Sequence, residues 1–264
     1  MTIQPLGAVS KSQFRYRSRN DYNTAGECPT MRIPSGVSGF DELIQGGFLP
    51  RRLYALSGPP GSGKTTFTAQ FMAEGLRNGE KCMYITMHET EDELVNDMSS
   101  FDFGFETLAS SEGFRFINLV SPKGKHILNQ FSQTGGSSSV QSLTDKIVAF
   151  VNSRQVDRLV IDSTMLLRLF FANGSEEMTR FLTALKQGDA TTLLISEMTD
   201  PSSYSDEHFL AHGVVFFHNY LEATGMTRGI QVIKMRGTNI DCDIRSLEFT
   251  DNGLVVDPRS KVDL

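Results

Sequence analysis

The sequence predicts an α/β protein: a mostly parallel central sheet flanked by helices, with antiparallel strands at its C-terminal side. Three observations predict it. Leu53-Tyr54-Ala55-Leu56 is strand-like and empties into Gly58-Pro59-Pro60-Gly61-Ser62-Gly63-Lys64-Thr65-Thr66, a complete phosphate-binding loop with a helical pattern after it. Apolar strand-like runs then alternate with amphipathic helical runs, the order of a parallel sheet covered on both faces. After Gly213 the text turns β-rich, at Val214 to Leu221, Ile230 to Met235 and Leu247 to Phe249, which predicts a closing antiparallel group.

The loop has a mechanical logic. Small residues from Gly58 to Gly63 let successive backbone N–H groups turn inward on an anion, Lys64 adds a mobile cation for the terminal phosphates, and the Thr65 hydroxyl suits Mg²⁺. The helix beyond it, with Phe67, Phe71, Met72 and Leu76 on one side, aims its positive end at the phosphates. A glycine-rich turn ending in Lys-Thr by chance would not need both flanking elements.

Residues 1–30 carry Lys11, Arg15, Arg17 and Arg19 among polar residues and read as a flexible arm; 31–264 read as the folded domain. Between glycines, Ile33 to Gly47 holds a short helix. Lys81 to Met87 is the next strand, and Thr90 with Glu93 forms a capping box that starts a helix through Leu94, Val95 and Met98. Phe114 to Val120 reads as a strand and Ser132 to Ser139 as a flexible Gly/Ser loop. Ser142 opens a helix with Leu143, Ile147, Val148 and Val151 on one face, and Arg158 to Asp162 is a buried strand. Ser175 caps a helix with Met178, Phe181, Leu182 and Leu185, and Ala190 to Ile195 is a strand.

At 264 residues and 39% hydrophobic content the chain can bury a full core. A net charge of −6 gives no overall electrostatic case for nucleic acid or anionic membrane. Cys28, Cys82 and Cys242 lack metal-ligand spacing and point to reduced thiols. No signal-peptide layout and no apolar run of about 18 residues is present, so a soluble, cytoplasmic protein is expected.

Two strand ends carry candidate chemistry. Asp162 closes an aliphatic strand, where a carboxylate can hold Mg²⁺ through water beside the loop, together with Thr65. His88 and Glu89 end the neighbouring strand; Glu89 is the candidate base for an attacking water and His88 could assist, unless Glu89 only begins the next helix.

Several motifs in order, Ile33-Pro34-Ser35-Gly36-Val37 to Gly46-Gly47, Gly58 to Thr66, Tyr84 to Thr90, Leu185-Lys186-Gln187-Gly188 and Lys234-Met235-Arg236-Gly237, resemble the single-domain KaiC-like branch of the RecA-type ATPases. The likeness spans about residues 32 to 257 and implies a RecA-like P-loop NTPase that takes ATP and Mg²⁺. It implies a ring of subunits, a hexamer, with ATP between neighbours. It also implies that Lys234 and Arg236 reach across to the adjacent subunit's phosphates, with Thr238 facing the nucleotide at the same interface. Two departures follow. The family shows two adjacent glutamates where this chain has His88 then Glu89, so hydrolysis is expected to be slow or lost. The segment that carries a phosphorylated Ser-Thr pair in the clock protein reads His208-Phe209-Leu210-Ala211, so autokinase activity is not expected.

The leading expectation is an oligomeric, Mg²⁺-dependent ATPase serving as a signalling switch read by an unknown regulatory protein. A DNA-binding recombination ATPase is the alternative, and a nucleotide sensor without turnover a third. Against DNA, residues 187–227 contain no Lys or Arg, while Asp200, Asp206 and Glu207 add negative charge.

Overall fold

The computed structural model describes residues 31–262 apart from 131–142, 172–173, 199, 201, 203 and 223–224. The expected arm, the Gly/Ser loop, Ser142 and Cys28 lie outside the described residues.

The elements run α1 (Phe40–Leu43), β1 (Leu53–Gly58), α2 (Lys64–Arg77), β2 (Cys82–Thr86), α3 (Glu91–Met98), α4 (Phe105–Ala109), β3 (Phe114–Asn118), α5 (Pro122–Gln130), α6 (Leu143–Ser153), β4 (Arg158–Asp162), α7 (Thr164–Phe170), α8 (Gly174–Lys186), β5 (Thr191–Glu197), α9 (Asp206–Leu210), β6 (Gly213–Glu222), β7 (Gly225–Met235), β8 (Arg245–Thr250) and β9 (Gly253–Asp257). They build one nine-stranded sheet in the order β3-β2-β4-β5-β1-β6-β7-β8-β9. The first six of these are parallel to one another, and β6 to β9 pair antiparallel. The expected RecA-type architecture is therefore present.

The strands read as continuous apolar runs because the sheet is covered on both faces. Alternate residues feed opposite cores. Tyr54, Leu56, Tyr84, Val160, Leu193 and Phe217 face a cluster with α1 to α4, while Leu53, Met83, Ile85, Leu159, Ile161 and Leu194 face one with α6, α7 and α8. Arg158 opens β4 with no solvent exposure; Glu80 pairs with it, it donates to Pro34 O and Phe71 O at 2.8 Å each, and it lies over the Phe71 ring. Those partners compensate the burial of its charge.

Several local expectations change. Helix α2 is buried nearly all round, including Thr66, Thr68, Gln70 and Ala73, because α4 and β9 pack on it as well as the sheet. Ser175 lies inside the first turn of α8, which begins at Gly174, and is not its cap. β2 and β3 end at Thr86 and Asn118, short of Met87 and Val120. Helices α4, α5, α7 and α9 and strand β9 were not legible as separate elements. Thr90 forms the expected capping box, accepting from Glu93 N while the Glu93 carboxylate accepts from Thr90 N. Among the described residues, no helix is long and apolar enough to cross a membrane.

His212 joins β1 to the β6 entry, its Nδ1 accepting from Leu53 N at 3.2 Å. Burial, then the charges of Lys186, Arg52 and Arg236, push its pKa down to about 4. An unfolded histidine titrates near 6.5, so the folded form binds its proton later. This contribution to stability is complete above about pH 6.5 and is lost as pH falls toward 4. Burial also lowers His208 and His218, adding in the same direction. We expect the thermal midpoint to fall from pH 7 to 4.5 and to fall less in His212→Gln. Equal slopes in the two proteins would remove His212 from this role.

Candidate active site

The phosphate loop bridges β1 and α2 with left-handed backbone at Gly61 and Gly63 (φ 73° and 104°). A Cβ at Gly58 would stand 2.3 Å from Phe217 O, so β6 leaves room only for glycine there. Gly63 precedes α2, and Phe67 N donates back to its carbonyl at 2.9 Å, which starts the helix directly behind the loop. Lys64 is buried in the mouth of the loop, its Nζ donating to Gly58 O at 2.7 Å and Pro59 O at 2.8 Å. Burial lowers its pKa, while Glu197 and Asp162 hold it up. The Ser62 hydroxyl is buried without a hydrogen-bond partner among the described residues, as fits a loop built around an anion.

Parallel register carries β2, β4, β5 and β1 to one edge: Thr86 pairs with Asp162, Asp162 with Ile195, and Gly58 with Glu197. Ligands in open α/β sheets bind at this carboxyl edge. Asp162 is 3% exposed, and the Tyr84 hydroxyl donates to its Oδ2 at 2.7 Å. Burial raises its pKa, while Tyr84, His88 and Lys64 pull it down. A threonine hydroxyl and an aspartate carboxylate, as at Thr65 and Asp162, are hard oxygen donors of the kind Mg²⁺ takes.

Glu89 precedes the Thr90 cap and lies outside α3; Glu91, Asp92 and Glu93 occupy the helix's first turn. Asn118 Nδ2 donates to Glu89 O at 2.8 Å. Burial and the charge of Asp162 push the Glu89 carboxyl up to about 7, and its Oε1 is buried without a hydrogen-bond partner among the described residues. His88 is exposed, its Nδ1 3.3 Å from Thr86 Oγ1. His88, Glu89 and Asp162 converge, with one ligand atom of each within 4.8 Å of the others.

The second candidate group lies elsewhere in the same chain. Met235 pairs with Gly213, which pairs with Tyr54, so β7 ends near the start of β1. From Tyr54 to Gly58 is about 13 Å of strand. Lys234 Nζ donates to His208 O at 2.9 Å and Phe209 O at 3.1 Å. The Arg236 side chain is exposed, and Thr238 Oγ1 accepts from Arg32 at 3.2 Å. Lys234, Arg236 and Thr238 therefore form an edge of their own, apart from the loop.

Sequence reading missed four neighbours of the loop. Tyr84 is the aromatic residue of β2, a strand of sequence Cys-Met-Tyr-Ile-Thr, and its hydroxyl reaches Asp162. Glu197 follows β5 out to the edge. Asn219 has a buried Oδ1 without a hydrogen-bond partner among the described residues, and Arg228 lies over the Phe249 ring with its Nε 3.4 Å from Gly61 O. The β6–β7 pairing of Asn219 with Arg228 brings these two beside the loop, and nothing local announces it. One expectation is corrected. Glu207 does not add surface charge after β5: it is 3% exposed and its carboxylate accepts from Arg168, Thr164 and Ser196.

Removing the Tyr84 hydroxyl leaves Asp162 short of its fixed donor. Residues that orient metal-binding carboxylates typically change metal affinity by about 10- to 100-fold. Tyr84→Phe is expected to fold and to weaken Mg²⁺-dependent nucleotide binding about tenfold, read by fluorescent-nucleotide titration against Mg²⁺. An unchanged Mg²⁺ dependence would leave Tyr84 a packing role.

Comparisons with known proteins bear on the family and the fold. A solved KaiC-like protein from the hyperthermophilic archaeon Pyrococcus horikoshii OT3 superposes with a TM-score of 0.72 at 30% identity, covering 87% of this chain and all of the other. The circadian clock oscillator protein KaiC of Parathermosynechococcus lividus is 28% identical over 87% of this chain and 43% of its own length. That of Acaryochloris marina is 27% identical over 95% of this chain and 48% of its own. The chain thus spans less than half the length of these curated relatives. The family model described as "ATPase: KaiC" matches residues 33–261, and with the phosphate loop, the strand-end carboxylates and the nine-stranded sheet in place, the chain belongs to the KaiC family of ATPases.

Proposed function

We propose that the protein is a Mg²⁺-dependent ATPase that assembles with ATP between neighbouring copies and acts as a regulatory switch. The observation that carries this reading is the separation of the two groups. The loop occupies the carboxyl edge of β1, whereas Arg236 and Thr238 lie past the far end of β7, so their natural target is the loop of another copy.

The chain's own residues have distinct tasks. Backbone N–H groups from Gly58, Gly61, Ser62 and Gly63 onward cradle the phosphates, Pro59 and Pro60 shape the loop without donating, and Thr66 lies in the first helical turn behind them. Lys64 offsets phosphate charge. Glu89, with its pKa near neutrality, takes a proton from the attacking water. Arg236 and Lys234 from the neighbour stabilise charge on the transferring group, so assembly and turnover are coupled. Bound Mg²⁺, held by Thr65 and Asp162, would neutralise phosphate charge.

Self-association has a surface available. Met165, Leu169 and Phe170 on α7 and Phe209 on α9 are 48%, 77%, 50% and 65% exposed, and Arg168 pairs with Asp206 and Glu207 to hold the two helices together. Apolar patches of this kind mark contacts between proteins.

Specific ATPase activity is expected to rise with protein concentration and to disappear in Lys64→Ala; Arg236→Ala should lose about 10³-fold or more. Activity independent of concentration, or an active Arg236→Ala, would overturn the shared site. Glu89→Gln should cost about 10²- to 10⁴-fold if Glu89 is the base. His88 in place of a second carboxylate favours one further reading, a nucleotide sensor. ATP binding without turnover in the wild type, with turnover gained in His88→Glu, would establish it.

A further inference from the structure

We propose that His88, Glu89 and Asp162 form a binding site for a first-row transition-metal dication, held by protein atoms alone and distinct from the oxygen pair assigned to Mg²⁺. It shares Asp162 with that pair but does not rest on nucleotide turnover.

Each residue offers one ligand atom within 4.8 Å of the other two. A cation about 2.0–2.2 Å from nitrogen and oxygen ligands needs them roughly 3.0–3.5 Å apart. The required closure is small, and His88 is exposed. Two carboxylates and one neutral imidazole match a dication in charge and leave open coordination positions, the layout of a site that keeps water or a substrate.

A second observation comes from Glu89. Its Oε1 is shielded from water and has no hydrogen-bond partner among the described residues, the condition a bound cation would relieve. The surrounding residues are arranged as an outer shell. The Tyr84 hydroxyl fixes Asp162, Asn118 fixes the Glu89 backbone, and Thr86 Oγ1 lies beside His88 Nδ1. Lys64, whose charge acts on Asp162, donates to Gly58 O and Pro59 O.

The nitrogen sets the ligand class. Mg²⁺ prefers oxygen and keeps its waters, whereas imidazole favours Co²⁺, Ni²⁺, Zn²⁺ and their neighbours. Occupancy would engage the Glu89 lone pair and take it away from proton transfer, so the cation would act as an inhibitor of the base.

The test uses untagged, nucleotide-free protein and Co²⁺ as the probe, followed by calorimetry and visible absorption. One Co²⁺ per chain is expected, with affinity reduced about tenfold or more in both His88→Ala and Glu89→Gln. The exposed His126→Ala control should bind as the wild type does. Mg²⁺ competition should change far less than Co²⁺ affinity in His88→Ala. Thermal midpoints check that the variants fold, and Cu²⁺ on the wild type adds an independent readout through an imidazole-nitrogen coupling that His88→Ala removes. No stoichiometric Co²⁺ binding, equal affinity in His88→Ala, or loss in His126→Ala instead would overturn the proposal. ATPase activity is not part of the readout, so a failed metal site and a failed hydrolase reading are distinguishable.

Discussion

The site depends on a carboxylate forced out of water at the end of a strand. Asp162 closes β4 between β2 and β5, and both cores press the strand from either side. A buried charge of this kind needs partners, and the structure supplies the Tyr84 hydroxyl directly and Lys64 and His88 nearby. The same negative field reaches Glu89 and keeps its proton near neutral pH. Burial of one group thus sets the chemistry of the next, and both leave the edge of the sheet primed for cations.

A physical link runs from the loop to the distant edge. Ser57, the residue before Gly58, is bonded to His208 Nε2 at 2.7 Å, and Ser205 N donates to the other ring nitrogen at 2.9 Å. That pairing makes His208 a neutral donor to Ser57. The carbonyls of His208 and Phe209 then accept from Lys234. Helix α9 is thereby clamped between the strand that leads into the phosphate loop and the strand that carries the second cationic group. A rigid clamp of this kind gives two remote edges a common mechanical element.

The loop after β5 illustrates how charge on paper differs from charge in space. Residues 187–227 have no cation of their own, yet Arg168 and Lys234 fold back onto α9 and neutralise or cap what is there. Phosphate neutralisation would need free cations facing outward. Arg168 is engaged by Asp206 and Glu207 within the chain, and residues 187–227 supply none.

Local patterns determined much on their own. The loop from Gly58 to Thr66, the capping box at Thr90, the aliphatic strand ending in Asp162 and the period of the helices each depend on neighbours in sequence, so parallel sheet and phosphate chemistry were legible before any coordinates. Short helices such as α4 and α7 were not, because five to seven residues carry too little periodicity. Strand β9 depends on β8 beside it, and α2 gave no hint that it would be covered all round. Tertiary structure alone decided that Tyr84 reaches Asp162, that Arg228 arrives beside Gly61, and that Glu207 turns inward. It also decided that His88, Glu89 and Asp162 meet. Register between strands far apart in sequence fixes those distances, and side-chain identity by itself carries no register.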